Sequence, residues 1–102
     1  AFDMWFDCDN EKINCQISHE NERILRLAEG NTNFQRLLGM DNFYNDPVIY
    51  PNVAKSLVVE LNNLADYFAK NNRKQYITPC QKIENFIRLS IEKMQVIHCI
   101  SD

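Results

Sequence analysis

Four cysteines, Cys8, Cys15, Cys80 and Cys99, carry the most reactive chemistry in this 102-residue chain. Thiolates ligate zinc, attack electrophiles or pair as disulfides, and their spacing separates these uses. Structural zinc usually takes cysteines two to four residues apart. Here the closest two, Cys8 and Cys15, are further apart than that. An even count of cysteines in so short a chain instead points to an extracellular domain stapled by disulfides. Secretion is therefore expected, with any signal peptide already removed ahead of Ala1.

Other reactive types fail to assemble. His98 precedes Cys99, but neighbours on a helix point about 100° apart and a bridged cysteine is no nucleophile. His19 and Glu20 read as solvated groups on the polar side of a helix. Asp41, Asn42, Asn45 and Asp46 are oxygen-rich, yet they lack the register of a calcium-binding loop and suit a turn. No phosphate cradle, Ser/His/Asp set or apolar-flanked carboxylate pair occurs. No enzyme activity, metal or cofactor is expected. A net charge of −3 argues against nucleic-acid binding, and no apolar run suffices to enter a membrane.

A binder remains, and two segments offer it contact residues. Near the start, Phe2, Met4, Trp5 and Phe6 are mixed with Asp3, Asp7 and Asp9. Aromatic anchors with an acidic rim suit a basic partner, although such rings can equally cover a core. The loop Met40–Tyr50 adds Asp41, Phe43, Tyr44 and Tyr50, whose rings can either plug a bundle or present an epitope.

Helices are expected to position these groups. Only two glycines and three prolines are present, few for an all-β chain. Ile13, Ile17, Ile24 and Ala28 recur at helical spacing after a cap at Asp9 or Asn10, and Gly30 suits a stop. Thr32-Asn33-Phe34-Gln35 opens a short helix ending at Gly39. From Pro51, an apolar stripe of Val53, Leu57, Leu61, Leu64 and Phe68 runs to a basic end at Lys70–Lys74. Thr78-Pro79-Cys80-Gln81 starts the last helix, whose face of Ile83, Ile87, Ile91 and Met94 meets no glycine or proline before Cys99. The expected fold is all-α: one domain over residues 1–102, a compact bundle of about four helices, one of them short.

A helix from Cys80 to Cys99 would hold those residues about 28 Å apart, beyond the 7 Å or so that a disulfide spans. Both bridges must then tie the N-terminal segment to the last helix. Cys8–Cys80 with Cys15–Cys99, or Cys8–Cys99 with Cys15–Cys80, both remain open.

Trp5-Phe6-Asp7-Cys8, Cys15, the Leu37-Leu38-Gly39-Met40 stretch and the late Cys80/Cys99 pair together resemble the anophensin/albicin-type salivary proteins of blood-feeding mosquitoes. That resemblance covers the whole chain and implies an all-helical, disulfide-bonded inhibitor; a monomer is expected. Its expected function is to inhibit a host plasma defence cascade by protein–protein contact, with a component of the alternative complement convertase or of contact-phase (kallikrein–kinin) activation as partner. Two other classes stay open beside it, a short-chain helical cytokine-like ligand and a carrier of a small apolar ligand.

Overall fold

The computed structural model describes residues 2–18 and 48–101. In its first segment the apolar positions alternate: Phe2, Met4, Phe6 and Cys8, then Ile13, Cys15 and Ile17 beyond Asp9-Asn10. Period-two patterning belongs to a strand with one face buried. Asp9 and Asn10 both take positive φ, 51° and 64°. That is the primed two-residue turn whose twist matches a hairpin. Strands β1 (Phe2–Cys8) and β2 (Glu11–Ile17) therefore pair antiparallel without interruption, from Phe2 opposite Ile17 to Cys8 opposite Glu11.

After the short strand β3 (Val48–Ile49), helix α1 (Pro51–Lys70) begins at Tyr50. The Tyr50 carbonyl accepts from the amides of Val53 and Ala54, and Pro51 occupies a position where no amide is needed. α1 buries Ala54, Leu57, Leu61, Leu64 and Phe68 along one stripe. At its end Asn72 turns left-handed, with φ of 56°, and lets the Arg73 amide donate to the Phe68 carbonyl at 2.8 Å. A single 3₁₀ turn (Lys74–Tyr76) leads into α2 (Ile77–Glu92). α2 closes the same way: Met94 has φ of 53°, and the Gln95 amide donates to the Ser90 carbonyl at 2.9 Å. The chain then enters β4 (Ile97–Ser101).

The sheet order is β2-β1-β4-β3, all antiparallel, so β4 lies between β1 and β3. The helices cover one face of the sheet in a two-layer α/β arrangement. Met4, Phe6, Cys15, Ile17, Ile49, Ile97 and Cys99 point inward from the strands. Against them pack Leu57, Leu61, Leu64, Phe68, Ile83, Phe86 and Ile87 from the helices. The Phe6 and Phe86 rings meet at 5.1 Å between centroids.

The all-α expectation is thus overturned. Residues 11–17, expected to begin a helix, form β2, because Ile13 and Ile17 satisfy a period of two as well as one near four once Cys15 counts as apolar. The last helix stops at Glu92 rather than reaching Cys99, because Met94 supplies a left-handed cap without a glycine. The remainder of the first expected helix, the short helix over 32–39 and loop residues 40–47 lie outside the described residues.

The two disulfides are also overturned: all four cysteines are free. Met4 pairs with Cys15 on one side and Cys99 on the other. That separates the two cysteines by two strand spacings, about 10 Å. Cys8 lies four residues along β1 from the Cys99 position, about 13 Å by strand rise. It also sits in the field of Lys93, at the opposite end of α2 from Cys80. Cys15 and Cys80 are both buried and unbridged. The all-helical, disulfide-bonded form that the salivary-protein resemblance implies is therefore not the form of this chain.

Two substitutions test these assignments. Phe6→Ala is expected to cost about 3–5 kcal/mol in urea unfolding, as for a large ring removed from a closed core. Met94→Gly, on an exposed residue in a left-handed conformation, is expected to raise the unfolding midpoint, with a gain on the order of 0.5 kcal/mol.

Candidate functional site

The face of the sheet turned away from the helices collects the residues that alternate with the core. The registers Asp3 opposite Gln16 and Ile100 and Trp5 opposite Asn14 and His98 set two rows across β2, β1 and β4, and Asp7 opposite Lys12 sets a third across β2 and β1 alone. Val48 of β3 extends the middle row beyond His98. Val48 and Ile100 are among the exposed large hydrophobic residues.

Trp5 sits at the centre. The His98 imidazole stacks on it at 4.2 Å between centroids with a 17° interplanar angle. From the strand on the other side of β1, Lys12 places its Nζ 4.3 Å from the Trp5 ring centroid. An exposed cation–π contact of this kind contributes about 0.5–1 kcal/mol. The indole Nε1–H is shielded from solvent and meets no acceptor among the described residues. A buried donor without a partner costs about 1–3 kcal/mol, and a native protein retaining one calls for a reason. Beside the ring lies a concavity of about 320 Å³, whose lining includes Asp3, Lys12, Asn14, Gln16 and Ile100. It presents an ammonium, two amides and a carboxylate around an aromatic floor. A second cleft of about 300 Å³ is lined by Lys55 and Val58 of α1 and by Arg88, Ile91 and Glu92 of α2. There Glu84 already holds Arg88 at 3.3 Å.

The thiols face the opposite way. Burial pushes both Cys80 and Cys99 up to about 12, with the nearby Glu84 carboxylate adding to the effect at Cys80. Burial likewise raises Cys15, while Lys82 pulls it partly back. Cys8 is raised by partial desolvation and by Asp9, whose Oδ2 accepts from its Sγ at 3.7 Å. These are neutral, structural thiols at ordinary pH. His98 and Cys99, adjacent in sequence, point to opposite faces of β4, so the imidazole cannot activate the sulfur.

The expected contact residues separate. Trp5 and Asp7 lie on the outer face, while Phe6 is fully buried and unavailable for contact. Phe2 opens β1 opposite Ile17 and Ser101. Tyr50 is exposed at the start of α1, with its carbonyl committed to capping. Asp41, Phe43 and Tyr44 lie outside the described residues. Lys12, Asn14, Gln16 and His98 had not been singled out as contact residues. Reading Asp9-Asn10 as a hairpin turn would have found the first three, since the alternation places them beside Trp5. Among the described residues no helix is long and apolar enough to cross a membrane.

The thiols generate one prediction. Cys80 and Cys99 each stabilise the fold fully below the unfolded value near 9.0, and that contribution is lost as pH rises towards about 12. Unfolding free energy should therefore fall steadily through that alkaline window, less steeply in Cys80→Ala or Cys99→Ala. Ellman's reagent should titrate four thiols in denaturant and leave Cys15, Cys80 and Cys99 protected in the native protein. No family model, no curated protein and no solved structure matches the chain.

Proposed function

We propose that this chain is a non-enzymatic binding domain that contacts a protein or peptide through the outer face of its sheet, with Trp5 as the anchor. The observation that carries this reading is the Trp5 indole N–H, buried without an acceptor among the described residues at the centre of a half-buried to exposed face. A partner that displaces the Lys12 side chain and offers a carbonyl or carboxylate would restore the missing hydrogen bond. Trp is also a residue in which binding energy concentrates, and the flanking Asn14 and Gln16 amides suit main-chain recognition. The complement and contact-phase proteins implied by the salivary resemblance belong in the first panel of partners.

Trp5 is the single tryptophan, so one indole signal in a ¹⁵N-correlated NMR spectrum reports the site. Wild type and Trp5→Phe are compared against those plasma proteins by surface plasmon resonance, and against a displayed random-peptide library. Trp5→Phe removes the unsatisfied donor and is expected to fold at least as stably as wild type. It should nevertheless bind roughly tenfold or more weakly, as for a central aromatic anchor. Binding should also move the indole N–H signal downfield. Binders that retain full affinity for Trp5→Phe, or no binders at all, would overturn the reading.

A further inference from the structure

β2 is the outer strand of the sheet, and among the described residues nothing pairs with its far edge. Its hydrogen-bond phase follows from the turn. A two-residue hairpin makes Cys8 and Glu11 the closing, mutually hydrogen-bonded pair. Glu11, Ile13, Cys15 and Ile17 then direct their amides and carbonyls into the β1 ladder, and Lys12, Asn14 and Gln16 direct theirs outward. Consistent with that phase, among the described residues the Lys12 carbonyl takes only a long contact from the Asn14 Nδ2 at 3.4 Å. The side chains of all three outward residues are exposed. This edge carries neither a proline nor a bulge to block pairing.

The edge is complementary to itself. With a two-fold axis at Asn14, two antiparallel β2 strands place Asn14 opposite Asn14 and Lys12 opposite Gln16 of the second copy. Every outward amide then finds a carbonyl, for about six ladder bonds. Amide faces amide, each ammonium faces a neutral amide, and no like charges stand opposed. Shifting the register so that Lys12 meets Lys12 would oppose like charges, which disfavours it.

We propose that β2 is a homodimerisation edge, joining two copies into one continuous eight-stranded antiparallel sheet with Asn14 on the axis. This takes the place of the monomer expected from the sequence, and it stands whether or not Trp5 binds a partner. Sedimentation equilibrium of the full chain, from micromolar to about millimolar concentration, tests it with three variants. Asn14→Pro removes one outward amide and no bond of the β1 ladder, so circular dichroism should stay native while the dimer is lost. Gln16→Glu sets a carboxylate opposite Lys12 of the second copy at two symmetric positions and should tighten the dimer. Gln16→Lys should loosen it, each by about two- to tenfold, with both effects shrinking in salt. A wild type that remains monomeric throughout overturns the proposal. So does a dimer that survives a folded Asn14→Pro unchanged, or one that responds alike to both Gln16 substitutions.

Discussion

The fold depends on β1 being paired on both sides. Its hairpin partner β2 is next in sequence, while its other partner, β4, comes from beyond the two helices. Where the two ladders share Met4, the side chain is fully buried between Cys15 and Cys99. One residue along, the same two ladders bring Asn14 and His98 to either side of Trp5 on the opposite face. A single register thus fixes the sulfur-rich row of the core and the aromatic row of the surface. It also explains why the cysteines do not bridge, since Met4 stands between the two that share a row.

Much of the helical half was legible. The stripe from Leu57 to Phe68 has no competing period, and α1 was anticipated at Pro51, where it begins. The strand half was not. Ile13 and Ile17 fit a helix turn as comfortably as alternate strand positions, and the tie is broken only by Asp9-Asn10, which can cap a helix or turn a hairpin. The structure uses it as the turn, with both residues left-handed. The end of α2 was hidden differently, because the stop falls on Met94, a residue that seldom takes that conformation. Four cysteines in a short chain then suggested staples, and that reading reinforced the helical one.

The candidate site was half visible for the same reason. The composition of residues 2–7 marked an aromatic and acidic segment, but only strand alternation can divide it into Phe6, which packs on Phe86, and Trp5, which does not. Partners from β2 and β4 depend on register, which no local pattern in β1 contains. The structure also tolerates costs at positions that do not build its core. An indole donor without an acceptor among the described residues and two left-handed residues after the helices are carried by a core that closes around Met4, Phe6, Leu61, Leu64 and Ile87.

The position of β4 orders the assembly of the molecule in time. The hairpin and the two helices are local structures that form within their own stretches of chain, on microsecond scales. The sheet is different. Its interior seam joins Met4 to Cys99, nearly the whole described length apart, so β3 has no strand to pair with until β4 has emerged. During synthesis the inner face of the hairpin, with Met4, Phe6, Cys15 and Ile17, must therefore wait without its central neighbour. This interval, before the finished fold exists, is when the chain is most prone to wrong pairing, and the reduced Cys8, Cys15 and Cys80 are then within reach of any oxidant.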